Sequence, residues 1–184
     1  MMNAILHWKG CEYASRESCR ITVSSECMEA VSTIEGSYRD IAYLVKYRIL
    51  ANSYWEVTGF SIESQINGEE HKIVLQSNGK GDWTTDGGRP IELFKGCIDI
   101  DISLTPFTNT LLIRRLDLSL GEASEIQVLY LDILNGETKP VRQKYTRMSP
   151  AQYLYENVPN NFEALITVDS DGLVIDYPEL FKRT

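Results

Sequence analysis

Apolar residues recur at every second position along most of this chain, a period that suits strands and argues against amphipathic helices. In "IAYLVKYRIL", Tyr43, Val45, Tyr47 and Ile49 fall on one face, with Lys46 and Arg48 on the other. "FEALITV" likewise puts Phe162, Ala164, Ile166 and Val168 on one side. "EIQVLYLDIL" is apolar on both faces, so cover on both is expected. The turn signals "NGEE", "SNGKGD", "TDGGRP", "NGET" and "DSDG" separate these runs. Their spacing, roughly ten residues, is that of an all-β sandwich or barrel.

One run breaks the pattern. In "YWEVTGFSIES", Trp55 and Val57 are in phase, whereas Phe60 and Ile62 have slipped by one, with Gly59 at the slip. That predicts a β-bulge or sharp bend, the device by which sheets curve. "SPAQYLYENV" is the best helical candidate, with Ser149 as a cap, but its tyrosines at i and i+2 favour a strand. The expected fold is all-β: a strongly curved antiparallel sheet forming a barrel or half-barrel. Helix is expected only as short turns near "RPIELF" and "YPELF". Those two blocks each follow an Asp-Gly turn, and the strands "AYLVKYR" and "LYLDILN" lie upstream of them. A duplication with halves at roughly 1–103 and 104–184 competes with coincidence among similar strands. No linker composition divides the chain, so a single β domain over 1–184 is expected.

Charge narrows the function. Acidic residues outnumber basic ones by 26 to 18, giving a net charge of −8, and no basic block is present. This argues against nucleic acid and against electrostatic attachment to anionic membranes. No apolar run approaches the ~20 residues of a membrane-spanning helix. "MMNAILHWKGCEY" lacks the long apolar core of a signal peptide, so a cytoplasmic location is expected. Cys11, Cys19, Cys27 and Cys97 form no C-x-x-C pair, and only His7 and His71 stand ready to help. Free thiols are expected, with no metal site and no cofactor.

The chemistry gathers in "GCIDIDISLTPFTNTLLIRR". Ile98, Ile100 and Ile102 form one face of a strand, and Asp99, Asp101 and Ser103 the other. After the turn "TPFTNT", Leu112, Leu116, Leu118 and Leu120 read as an apolar strand face interrupted by Arg114, with Arg115 and Asp117 opposite. A hairpin-like return would set an arginine beside the aspartates, where its planar fork bonds a carboxylate twice. Three readings compete: an ion-pair network that fixes the sheet, a polar anchor in a ligand cavity, and an acid/base pair as in a glycosidase. The last requires carboxylates on opposite sides of the scissile bond, whereas Asp99 and Asp101 approach from one side. No recognisable nucleophile motif supports a hydrolase.

The blocks "DWTTDGGRPIELFKGCIDIDISLTPFTNTLLIRRLDLSLGE", "QKYTRMSPAQYLYE" and "VDSDGLVIDYPELFKR" resemble, over the full length, the bacterial family named putative glycolipid-binding proteins, formerly a domain of unknown function. The departures are Leu112, where the family often has proline, and Phe181, where it often has tryptophan. The resemblance implies a curved antiparallel sheet similar to the half-barrel of bacterial lipoprotein carriers, and glycolipid binding. Those carriers are exported, whereas this chain shows no export signal. The resemblance supplies no catalytic residues.

The expectation is a non-enzymatic protein that binds an amphipathic small molecule, a glycolipid or other lipid, in a β-barrel-like cavity. Asp99, Asp101, Asn109, Arg114 and Arg115 are the expected polar anchors. Trp83 and Tyr145 are added because an aromatic ring bearing a polar group suits the junction of lipid and sugar. The alternative is a structural or protein-interaction module whose Asp/Arg pairs only fix the sheet.

Overall fold

A computed structural model describes residues 2–184. The first half is an antiparallel meander: β1 (Met2–Gly10), β2 (Ser15–Val23), β3 (Cys27–Tyr38), β4 (Ile41–Asn52), β5 (Val57–Ile66), β6 (Glu69–Ser77) and β7 (Trp83–Thr85). A single 3-10 turn at Glu92–Phe94 leads to β8 (Asp99–Ile102) and then to a helix, α1 (Phe107–Leu116). The chain returns through β9 (Ala123–Asp132), β10 (Glu137–Ser149), β11 (Gln152–Val158), β12 (Glu163–Val168), β13 (Val174–Tyr177) and β14 (Phe181–Arg183). All fourteen strands form one sheet in the order β7-β6-β5-β4-β3-β2-β1-β14-β13-β12-β11-β10-β9-β8. Every pairing is antiparallel except β8 with β9, whose connection is α1.

The alternation read from the sequence sets the register. Tyr43, Val45, Tyr47 and Ile49 are all buried, while Lys46 and Arg48 face solvent. On β9, Val128 packs into one apolar cluster and Leu129 and Leu131 into the other, so both faces are covered. The slip at Gly59 is a bulge: Leu50 pairs with Gly59 and Ala51 with Val57, leaving Thr58 unpaired.

Two expectations need correction, and one open alternative gains no support. The sheet does not close into a barrel; β7 and β8 remain its edges. They are joined only near β8, where Trp83 Nε1 donates to Cys97 O at 2.6 Å and Gly96 N to Gly81 O at 2.9 Å. A Cβ on Gly81 would lie 2.8 Å from the Gly96 backbone, so this approach needs glycine. The duplication is not shown: "RPIELF" runs to the sheet edge, whereas "YPELF" spans the β13–β14 turn at its centre.

The second correction is α1, where the sequence reading placed a returning strand. Pro106 stands in αR conformation at the helix start, and Thr105 Oγ1 accepts the Phe107 N–H at 3.1 Å. Thr-Pro is thus a helix-starting signal, satisfying a free N–H and presetting φ. Asp117 ends the helix in the left-handed region (φ 43°). Every residue from Phe107 to Ile113 is buried, so the segment has no polar face to reveal a 3.6-residue period. The sheet folds around it. Phe107 and Leu111 pack with residues of β2–β6, while Leu112 and Ile113 pack with residues of β11–β14. The space a lipid chain would occupy in a barrel is filled by this helix, and open cavities lie at its two ends.

Candidate functional site

Because β8 presents alternate residues to opposite sides, Ile100 and Ile102 enter the core while Asp99 and Asp101 face α1 and β10. The helix runs back along β8, which puts Thr108 beside Asp101 and Arg115 beside Asp99. Arg115 Nε donates to Asp99 Oδ1 at 2.8 Å, and Arg115 Nη2 to Oδ2 at 2.5 Å. The Asp99 side chain is only 1% exposed. Its carboxyl is shifted up from the usual range by burial, against the opposing pull of Arg115. Asp101 accepts from Thr108 Oγ1 at 3.2 Å and Gln143 Nε2 at 2.6 Å, both neutral donors. Burial raises its pKa too, opposed by Gln143 and Thr108.

Arg114 does not join the aspartates, as the strand reading expected. A helix turns 100° per residue, so it projects away from Arg115. Its guanidinium lies 5.0 Å from the Trp55 ring centroid, and Nη1 donates to Asp171 O at 3.3 Å. It enters a cleft of about 750 Å³ at the C-terminal end of α1. The cleft is bounded by the β4–β5, β10–β11 and β12–β13 turns and contains Trp55, Lys80, Arg114, Arg115, Arg147 and Tyr153. Lys80 is paired with Glu56, and Arg115 with Asp99. Arg114 and Arg147 have no carboxylate partner among the described residues. Arg147 lies 5.7 Å from the Tyr153 ring centroid and donates from Nη1 to Leu118 O at 2.7 Å, while its buried Nε has no acceptor.

Local backbone chemistry builds this cleft. Asn52 Oδ1 accepts the N–H groups of Tyr54 and Glu56 at 2.9 and 3.1 Å, clamping a turn in which Trp55 adopts φ 64°. A bulky residue held there is strained, and such strain persists only where its surroundings enforce it. Gly172 (φ 74°) leaves room for Arg114, whose Cδ would lie 3.0 Å from an added Cβ. The two arginines in the last turn of α1 also complement the negative end of its dipole.

A second cavity, about 260 Å³, opens at the other end of α1, between the β1–β2, β11–β12 and β13–β14 turns. Asp101 and Asn109 line it. Asn109 is held by Tyr145, whose hydroxyl donates to Oδ1 at 2.7 Å. Tyr145 and Trp83 are buried and line neither cavity. Trp83 packs edge-on to Phe60, and burial raises the Tyr145 phenol well above its usual range.

The sequence reading gathered Asp99, Asp101, Asn109, Arg114 and Arg115 at one cavity; the structure instead sets Arg114 and Arg115 at one cavity and Asp101 and Asn109 at the other, with Asp99 paired to Arg115 as a buried brace. The sequence reading missed Trp55, Arg147 and Tyr153. Arg147 and Tyr153 lie in the quoted "QKYTRMSPAQYLYE", but their strand-like period gave no sign of a shared cleft. Glu17 was also missed. It sits on the core face of β2, where Oε1 accepts from Tyr47 (2.6 Å), Ser32 (2.7 Å) and Thr105 (2.9 Å), with Oε2 buried and unpartnered. A charge in "SRESCRITV" at an inward position was its only mark. The four cysteines are free thiols. Among the described residues no His/Cys/Asp/Glu group is arranged to hold a metal, and no helix is long and apolar enough to cross a membrane.

These features define an all-β protein whose open sheet is filled by one helix and carries a cavity at each helix end. The chain belongs to the family described as Putative glycolipid-binding, whose model matches residues 5–183. A crystal structure of a DUF1089 family protein from Pseudomonas aeruginosa is similar to it, with 35% identity, a TM-score of 0.83 and 92% of each chain covered. No curated protein matches the chain.

Proposed function

We propose that this protein binds the polar head of a glycolipid, without catalysis, in the cleft at the C-terminal end of α1. The carrying observation is the pair Arg114 and Arg147, two guanidinium groups stacked on Trp55 and Tyr153 and lacking a carboxylate partner. Guanidinium forks bond hydroxyl, phosphate and carboxylate oxygens, and aromatic faces suit sugar rings. Tyr54, 74% exposed at the rim, adds a further ring. The family description supports glycolipid as the ligand class. A helix-filled interior favours holding the head group and leaving the acyl chains outside. Asp99 is fully engaged by Arg115 and stands beside Asp101 on the same strand face, which supports a binding role over hydrolysis.

At the Asp99–Arg115 pair itself the observations favour the second reading, a brace for the sheet. Both carboxylate oxygens bond Arg115, and Asp99 lines neither cavity.

Vesicle co-sedimentation tests the proposal. Phosphatidylcholine vesicles doped with a glycosyl diacylglycerol are expected to carry the protein down, and undoped vesicles to leave it in solution. The double variant Arg114→Ala with Arg147→Ala is expected to lose at least about tenfold in that binding. Equal recovery on doped and undoped vesicles would refute it.

A further inference from the structure

The smaller cavity has a chemistry that the glycolipid reading does not use. Its wall is aromatic: Tyr13, Tyr130, Tyr155, Phe162, Tyr177 and Phe181 all line it. All of these rings but Tyr130 form a continuous set, with centroids 6.0 Å apart for Tyr155–Phe162, 6.1 Å for Tyr155–Tyr177, and 6.2 Å for both Tyr177–Phe181 and Tyr13–Phe181. The charged groups in the lining are Asp101 and Glu12; no lysine, arginine or histidine contributes to it. Asp101 receives one hydrogen bond on each oxygen, from Thr108 and Gln143. A carboxylate accepts about four, so half its capacity is open. Nearby, the first turn of α1 offers at most roughly half an elementary charge, less than a full counter-ion.

We infer that this hollow is a binding site for an organic ammonium group, its charge set against Asp101 and its alkyl surface against the tyrosine and phenylalanine faces. Aromatic faces carry negative quadrupole potential and attract a cation most strongly where water is excluded. A desolvated carboxylate at the base supplies the full counter-charge that rings alone lack. A cavity of about 260 Å³ admits a trimethylammonium or a primary-amine head but not a large sugar. A neutral apolar ligand would leave the Asp101 charge with only its two neutral donors, and an anion would meet two carboxylates. The site is separate from the arginine cleft, so it stands whether or not glycolipid binds there.

Choline and its neutral carbon isostere, dimethylbutanol, share a shape and differ in one charge. Calorimetric titration of the full chain is expected to show choline binding, with the alcohol weaker by at least about tenfold. Asp101→Asn keeps the shape and is expected to reduce choline binding to the level of the alcohol. Phe162→Leu changes a partly exposed ring outside the packed core and is expected to weaken choline several-fold, with near-ultraviolet circular dichroism unchanged. Should Asp101→Asn fail to fold, the choline-to-alcohol ratio and Phe162→Leu decide the matter. No choline binding, equal binding of both compounds, or undiminished binding in a folded Asp101→Asn variant would each overturn the inference.

Discussion

At the cleft end of β8, Asp99 holds a guanidinium with both oxygens; at the hollow end, Asp101 holds a threonine hydroxyl and a glutamine amide. The two residues lie on one face of one strand, under one helix. What separates them is the direction of α1, which brings Arg115 to the first and Thr108 to the second. The cavities follow suit. The larger contains Arg114 and Arg147 without carboxylate partners, and the smaller contains acids and rings without a cation. In a chain of net charge −8, an uncompensated pair of arginines is the less expected of the two. The comparison teaches that charge type in "GCIDIDISLTPFTNTLLIRR" does not reveal pairing. Helix phase decides which arginine meets which aspartate.

The sharpest way to break this comparison is to exchange the fates of the two arginines. Arg115→Met leaves the buried Asp99 carboxylate without its partner and is expected to cost ~3–5 kcal/mol in urea unfolding. Arg114→Met removes a group bonded to a carbonyl and an aromatic face, so a loss below about 1 kcal/mol is expected. Equal losses would mean that Asp99 draws its stabilisation from elsewhere and that the assigned pairing is wrong.

Glu17 extends the comparison to a third buried carboxylate, one that like Asp101 has only neutral partners. Burial pushes it up to about 7, opposed by hydrogen bonds from Tyr47, Ser32 and Thr105. A folded-state pKa above the unfolded value means that the native state binds more protons between the two, so stability falls as pH rises across that window. From an unperturbed value of 4.5 to about 7, the loss is on the order of 3 kcal/mol, complete above the folded pKa. Asp99 and Asp101 are raised as well and slope the same way. Glu17→Gln isolates its share: the variant should match the wild type near pH 4 and exceed it near pH 8. Parallel unfolding curves for the two proteins across that range would contradict a buried, titrating Glu17.

Period two made much of this fold legible. The strand faces of β4 and β12, the bulge at Gly59 and the double cover of β9 all follow from alternation, because sheet pleating maps sequence parity directly onto burial. The helix was illegible by the same rule. Leu111, Leu112 and Ile113 are all buried, and a segment with no exposed side has no period to read. Thr105-Pro106 was the available signal, a start rather than a pattern. That one missed element reassigned Arg114, and it also filled the interior expected to hold lipid. Arg147 and Tyr153 are partners across the β10–β11 hairpin, but Trp55 lies far from them in sequence and joins them only because antiparallel connections return alternate turns to the same end of the sheet. Pairing of that kind leaves no local trace.

The smallest expected effect separates stability from binding at Asp101. Its charge fixes the Gln143 amide with Nε2 toward the carboxylate, which leaves Gln143 Oε1 buried and unpartnered. In Asp101→Asn the buried charge disappears, and the new amide offers a donor. The Gln143 side chain is then free to turn over, so that its oxygen accepts a bond while Thr108 continues to donate to the remaining carbonyl. The turn-over satisfies Oε1 but carries Nε2 to the side that lacked a partner, so the expected gain of about 1 kcal/mol at neutral pH comes from removing the uncompensated charge. The gain should shrink in acid, where the wild-type carboxyl is itself protonated, because burial has moved its pKa upward. Urea unfolding at neutral and acidic pH measures both. A destabilised Asp101→Asn variant would place Asp101 with Asp99, as a brace whose charge the fold requires. A stabilised one that no longer binds choline shows a charge kept at a cost in stability for the ammonium group it receives.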